Sequence, residues 1–136
     1  PYLGICLGMQ VLFEHSEEHG HHQGLGVIPG RVRRFEVPPG DPRKVPHMGW
    51  NQVRRGEHAP TMWAPLLAAA ADAYLYFVHS YYCEPSVTND VALACDYGLR
   101  FCAAVSRPNL LAVQFHPEKS QAAGLSMLRH FVEATS

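Results

Sequence analysis

The chain opens on an apolar run, Leu3 to Cys6, that predicts a short buried strand, and runs straight on into Leu7-Gly8-Met9-Gln10-Val11-Leu12-Phe13-Glu14. Leu7, Val11 and Leu12 recur at helical spacing, which predicts a short amphipathic helix ending near Gly20. Between 25 and 37, Val27, Val32, Phe35 and Val37 lie around Pro29-Gly30, the pattern of strands broken by a turn. Pro38-Pro39-Gly40-Asp41-Pro42 predicts a loop. Lys44 to Val53 reads as extended and Met62 to Ala71 as a short Ala-rich helix. Three strands are expected at Ala73–Tyr82, Val91–Cys95 and Phe101–Val105, and a fourth at Leu110–Phe115, stopped by His116-Pro117. Gly124 to Ala134 reads as a helix with Leu125, Leu128, Phe131 and Val132 on its apolar face. Strand–helix at each end around a β-rich middle predicts an α/β fold.

Composition narrows this reading. With 136 residues, 47% hydrophobic and 17% charged, the chain is globular, not disordered, and of a length for one domain, 1–136. A net charge of −1 argues against a nucleic-acid binder that works by counterion release. No apolar run approaches the roughly 18 residues of a membrane span, and the first residues do not read as a secretory signal. Four cysteines are too few for a disulfide scaffold. Cys83, Cys95 and Cys102 sit in apolar strand-like runs as buried free thiols would, which favours a reducing, cytoplasmic setting. Because Pro1-Tyr2-Leu3 leads without Met into a core strand, the chain is expected to be a piece of a longer domain.

The fourth cysteine stands in different company. Gly4-Ile5-Cys6-Leu7-Gly8 places a G-x-C-x-G between a strand and a helix, the arrangement of a nucleophile elbow. The glycines remove Cβ atoms that would clash. The helix start is expected to favour thiolate, and the Leu7 amide to face a developing oxyanion. A buried structural cysteine between two packing glycines fits the pentapeptide equally well. His116-Pro117-Glu118 shifts the balance, because it also follows a strand. A thiol nucleophile needs an imidazole to carry protons and a carboxylate to hold that imidazole's tautomer. In an extended segment, His116 and Glu118 would lie on one side.

Pro1-Tyr2-Leu3-Gly4-Ile5-Cys6-Leu7-Gly8-Met9-Gln10, taken with Gln114-Phe115-His116-Pro117-Glu118, resembles the class I (triad) glutamine amidotransferases. Val45-Pro46-His47-Met48-Gly49-Trp50-Asn51, Tyr76-Phe77-Val78-His79-Ser80-Tyr81 and His116-Pro117-Glu118-Lys119-Ser120-Gln121 narrow the resemblance to the glutaminase subunits of imidazole glycerol phosphate synthase. The resemblance implies a flavodoxin-like mixed sheet flanked by helices, lacking its first strands. It implies that Cys6 attacks L-glutamine, that His116 is general base and then acid, and that Glu118 orients His116. Gln10, the Ser80-Tyr81 segment and, more weakly, Glu18 would hold the substrate. No cofactor is implied. The ammonia would pass to a (β/α)₈-barrel cyclase subunit in a heterodimer that makes imidazole glycerol phosphate and an aminoimidazole carboxamide ribotide for histidine and purine synthesis. His47, Trp50, Asn51, Tyr76 and Lys119 match positions near that interface. The family's amino-terminal region, with a P-G-V-G loop, has no counterpart, so the chain alone is expected to be poorly active and marginally stable. The rival readings are a partner-binding domain without activity and another class I amidotransferase or γ-glutamyl hydrolase.

Remaining features have simpler readings. His15, His19, His21 and His22 crowd one stretch, with His15 and His19 at i, i+4, but a metal site needs more ligands held in fixed geometry, and Gly20 and Gly24 suggest a mobile loop instead, so no metal is expected. Arg31 and Arg33 would share one face of a solvated strand and Arg34 the other. His79, in an apolar mid-strand run, is a poorer candidate than His116 for the catalytic histidine.

Overall fold

A computed structural model describes residues 1–136. Along the chain run β1 (Tyr2–Ile5), α1 (Leu7–Gln10), β2 (Phe13–Ser16), β3 (His22–Gln23), β4 (Ile28–Arg34), β5 (His47–Arg55), α2 (Ala64–Ala70), β6 (Tyr74–His79), β7 (Tyr81–Pro85), β8 (Val91–Asp96), β9 (Arg100–Arg107), β10 (Leu110–Val113) and α3 (Gln121–Thr135). The strands form one branched mixed sheet in the order β3-β2-β4-β7-β9-β8-β5-β6, with β10 joined to β9 and β1 to β10. The pairs β1–β10 and β2–β4 are parallel and the others antiparallel.

The alternation along β10 divides the core between the two faces. Leu111 and Val113 join a cluster with Trp63, Leu66, Leu67, Phe77, Phe115 and Met127, which brings α2 and α3 onto that face. Ala112 points the other way, to Met9, Leu12, Phe13, Ile28 and Val32. Trp63 is fully buried, stacks on Phe131 with ring centroids 5.5 Å apart, and donates its indole N–H to the Arg107 carbonyl at 2.8 Å. No helix is long and apolar enough to cross a membrane.

Four local expectations are overturned. The helix expected to reach Gly20 is a single turn, because the next carbonyls bond elsewhere. Val11 O accepts from Leu25 N, Leu12 O from Val27 N and Ile28 N, and Phe13 O from Gly26 N. These non-local bonds override the helical pattern. His15 and His19 therefore have no helical relation, and His15 lies instead beside His21, ring centroids 5.0 Å apart. Pro29-Gly30 does not turn the chain but lies within β4. Gly30 has φ +136°, and a Cβ there would stand 2.3 Å from the Glu84 carbonyl oxygen on β7. The run Ala73–Tyr82 is two strands split at Ser80, where the chain leaves β5's side to pair with β4 and β9. On α3, Gly124 and Met127 face inward while Leu125 and Val132 are exposed.

Tyr2 at the start of β1 is also exposed, and Leu3 and Ile5 are half-buried, since β1 pairs with β10 alone. Cys83, Cys95 and Cys102 are buried free thiols, as their apolar settings suggested. Burial pushes Cys95 and Cys102 up to about 12. Arg31 and Arg33 do share a face, both reaching Glu84, at 3.1 and 3.4 Å.

Candidate active site

The register of β1 against β10 pairs Ile5 with Val113, and Cys6 N donates to Val113 O at 2.8 Å. Two neighbouring parallel strands therefore end together, one delivering Cys6 and the other Gln114, Phe115 and His116. Cys6 has φ 54° and ψ −107°, a backbone that L-residues adopt only under strain. The strain turns the side chain out of β1 as α1 begins.

His116 is tied down on several sides. Its N–H donates to the Tyr76 carbonyl at 2.9 Å, and its own carbonyl accepts from the Ser120 hydroxyl at 2.6 Å. Ser120, buried, also accepts the Tyr76 N–H at 2.9 Å, binding the His-Pro-Glu turn to β6. His116 Nδ1 lies 2.6 Å from Glu118 Oε1. A carboxylate only accepts, so the proton sits on Nδ1 and Nε2 is left unprotonated, free to accept a proton. This contact forms within a 3₁₀ turn over Pro117–Lys119, not along the extended segment that the sequence suggested.

The expectation of a ground-state thiolate at Cys6 is not met. Burial raises its pKa above the ordinary value, outweighing the Leu7 N–H and the Gln114 amide that lower it, and Glu118 and Glu18 raise it further. A four-residue α1 cannot offset that desolvation. Cys6 therefore rests as a thiol, and acting as a nucleophile would require a base to take its proton.

Beside the elbow, Leu7, Gln10, Ser16 and Glu18 line an open groove of about 270 Å³. Gln10 Nε2 donates to the Tyr81 carbonyl at 3.3 Å and to Gln114 Oε1 at 3.1 Å. Gln114 Nε2 lies 3.6 Å from Cys6 Sγ. Gln114, fully buried, was visible in the sequence only as part of the Gln114-Phe115-His116-Pro117-Glu118 run; its burial at a strand end could not be read there. Ser80 accepts the Phe35 N–H through its carbonyl at 3.0 Å, so this segment's backbone is fixed. A larger apolar cavity of about 370 Å³, against Tyr82, Val91, Leu99 and Phe101, shares no residue with this site.

The residues expected near a partner divide into two groups. Trp50, 48% exposed, pairs across β5–β6 with Tyr76, their rings edge-to-face with centroids 5.8 Å apart. Lys119 Nζ lies 6.0 Å from the Tyr76 ring, so the three form one surface beside Glu118. His47 is not on that surface, because the residue is only 3% exposed and its ring stacks on Phe77 and Tyr97. Its Nδ1 meets His79 Nε2 at 2.9 Å, and Asn51 Nδ2 meets its Nε2 at 3.2 Å.

Burial lowers both His47 and His79 to about 4. An unfolded chain would bind protons on them near 6.5, so the unfolded state is favoured as pH falls from 6.5 toward 4. Their contribution is complete above 6.5 and is lost at about 1.4 kcal/mol per pH unit for each histidine below it. The melting temperature is expected to drop by roughly 5–15 °C between pH 7 and pH 5. Equal melting at the two pH values would contradict burial of the pair.

The family described as Glutamine amidotransferase class-I matches residues 1–134. The chain is 53% identical, over 96% of its length and 63% of the relative's, to the imidazole glycerol phosphate synthase subunit HisH of Syntrophotalea carbinolica. It is 55% identical, over 98% of its length and 62% of the relative's, to the subunit of the same description from Methanothermobacter thermautotrophicus. The chain thus spans less than two thirds of these relatives. The glutaminase domain of Trypanosoma brucei CTPS with bound acivicin superposes with a TM-score of 0.59 over 98% of this chain and 60% of that one, at 20% identity, and shares its fold.

Proposed function

The chain belongs to the class-I glutamine amidotransferase family, and from that premise we propose that it is the glutaminase of an imidazole glycerol phosphate synthase. It hydrolyses L-glutamine to glutamate and ammonia in the cytoplasm and hands the ammonia to a cyclase subunit bound as the other half of a heterodimer. That subunit, a (β/α)₈ barrel, uses the ammonia to form imidazole glycerol phosphate and the aminoimidazole carboxamide ribotide. The observation carrying this reading is that Cys6, on its strained elbow, and the His116–Glu118 pair, bonded at 2.6 Å, leave adjacent parallel strands at the same end.

The chemistry follows from the protons. His116 Nε2 takes the Cys6 proton as Sγ bonds to the carboxamide carbon, and the negative charge goes to the amide oxygen, which the Leu7 N–H faces. When the C–N bond breaks, His116 returns that proton to the leaving nitrogen, which departs as ammonia and leaves a γ-glutamyl thioester. Water, deprotonated by His116, then attacks the thioester; glutamate leaves and Sγ regains the proton. Glu118 stabilises the imidazolium in both halves. Gln10, Glu18 and the Ser80-Tyr81 backbone hold the α-substituents of the substrate.

The test is glutamine hydrolysis with and without a cyclase subunit. Turnover is expected to rise when the barrel is added, and no hydrolysis in either state would sink the reading. The Trp50–Tyr76–Lys119 surface is the proposed contact with the barrel. Aromatic and charged anchors at a patch centre carry most binding energy, so Lys119→Ala and Trp50→Ala are expected to weaken association by roughly tenfold or more. Association titrations that match the unsubstituted protein would remove these residues from the interface.

A further inference from the structure

Two histidines buried in a ring of aromatics call for a reason, because apolar side chains of similar size would fill the space without polar atoms to satisfy. Phe35 packs edge-on to both, and Phe77 and Tyr97 stack on His47. Each ring nitrogen of the pair nevertheless has a partner. His79 Nδ1 lies 2.8 Å from the Tyr81 carbonyl, His79 Nε2 lies 2.9 Å from His47 Nδ1, and His47 Nε2 lies 3.2 Å from Asn51 Nδ2.

The ends of this row settle where its protons are. The Tyr81 carbonyl only accepts, so His79 carries its proton on Nδ1 and its Nε2 accepts. His47 must then donate from Nδ1 and accept at Nε2. Asn51 is oriented to supply that donor, since its Oδ1 takes the Gln52 N–H at 2.8 Å and its Nδ2 also donates to the Asp96 carbonyl at 2.8 Å. Both imidazoles are neutral Nδ1–H tautomers, and the row has one direction. At the Tyr81 carbonyl it meets a second row, because that oxygen also accepts from Gln10, which donates to Gln114, which reaches Cys6 Sγ at 3.6 Å. Both amide protons of Gln10 are thereby spent within the protein, and its Oε1, bonded to nothing in the chain, is left to accept from a ligand.

We infer that the His47–His79 pair is a positioning device for the glutamine site: it holds the Tyr81 carbonyl, and through it the carboxamides of Gln10 and Gln114, in the orientation that binds glutamine against Cys6. This rests on the glutaminase reading. Neither histidine touches the reacting atoms. A core-filling role would set only stability, whereas a positioning role sets substrate affinity through one hydrogen bond, His79 Nδ1–H to Tyr81 O.

Two measurements on the protein with its cyclase partner test this. His79→Leu removes the bond and keeps an apolar side chain. His79→Asn keeps an N–H near the place of Nδ1 while losing the bond to His47. Because a hydrogen bond to a positioned group is worth about tenfold, His79→Leu is expected to raise KM for glutamine about tenfold or more. His79→Asn is expected to bring KM back to within about threefold, although its melting temperature stays lowered. Ring ¹⁵N NMR of the unsubstituted protein needs no variant and is expected to show His47 and His79 both protonated at Nδ1 at pH 7. An Nε2–H tautomer at His79 overturns the proposal, as does an unchanged KM in a folded His79→Leu protein, or equal KM defects in the Leu and Asn variants. Absence of glutamine turnover in the unsubstituted protein would instead bring down the glutaminase reading, and the positioning role with it.

Discussion

Replacing Cys6 with alanine is expected to lower glutamine hydrolysis by about 10⁵-fold or more, because groups that act as one catalytic unit fail together when the nucleophile is removed. Synthesis from added ammonium salts by the cyclase partner should continue, since only the source of ammonia is lost. The other cysteines are the internal control. Cys83, Cys95 and Cys102 are buried free thiols whose pKa values burial raises, so alanine at any of them costs packing but leaves the chemistry in place. Parallel ammonia-release assays on the four variants make the comparison. Retained turnover in Cys6→Ala, or a loss in Cys83→Ala as large as at Cys6, would remove Cys6 from the nucleophile's role.

Gly4→Ala is expected to be the next most damaging change, although position 4 takes no part in the chemistry. A Cβ there would lie 2.4 Å from the Gly8 carbonyl oxygen and 2.7 Å from its carbon, so α1 would have to lift away from β1. The elbow is the joint between these two elements, and displacing a reacting group by about 1 Å costs on the order of 10²-fold in rate. Overpacking of this kind also costs about 1–3 kcal/mol of stability. The second glycine of the motif behaves differently. A Cβ at Gly8 meets only the Tyr2 hydroxyl at 3.5 Å, an ordinary contact, so Gly8→Ala is expected to fold normally. Thermal melting and turnover of the two variants give the comparison, and equal melting temperatures would refute the steric account of the elbow.

The pentapeptide around Cys6 and the tripeptide at His116 were legible because each is short, local and bounded by a strand. The strands β8, β9 and β10 were legible because each is a short, nearly continuous apolar run bounded by turn residues, and α3 was legible as a helix although not in the face it buries. Where local pattern met distant pairing, it failed. The helix after Gln10 is cut short by bonds from residues 25–28, and β4 passes through Pro29-Gly30 because Gly30 lets the Glu84 carbonyl come close. The same limit hid half of the site. Gln114 is a buried polar residue at the end of an apolar strand, and nothing nearby in the chain says that its amide turns toward Cys6. His79 reads in the sequence as part of an apolar mid-strand run, and the structure puts it among Phe35, Phe77 and Phe101 but at the end of β6. Its bond to the Tyr81 carbonyl, which links it to Gln10, depends on the break at Ser80 that the pattern did not reveal. The resemblance groups His47 with the exposed Trp50 near a partner, but on a strand three residues is an odd step, and the two side chains face opposite ways.

A γ-glutamyl thioester at Cys6 is the intermediate on which the proposed chemistry turns, and intact-protein and peptide mass spectrometry after acid quenching can look for it. Glutamine is mixed with the protein and its cyclase partner, and the reaction is stopped during turnover. The peptide containing Cys6 is expected to gain the mass of one glutamyl group, and this adduct is expected to decay as glutamate accumulates and to be absent from Cys6→Ala. Ammonia release that proceeds at the unsubstituted rate in Cys6→Ala, or a glutamyl adduct found on Cys83, Cys95 or Cys102 instead, would contradict it.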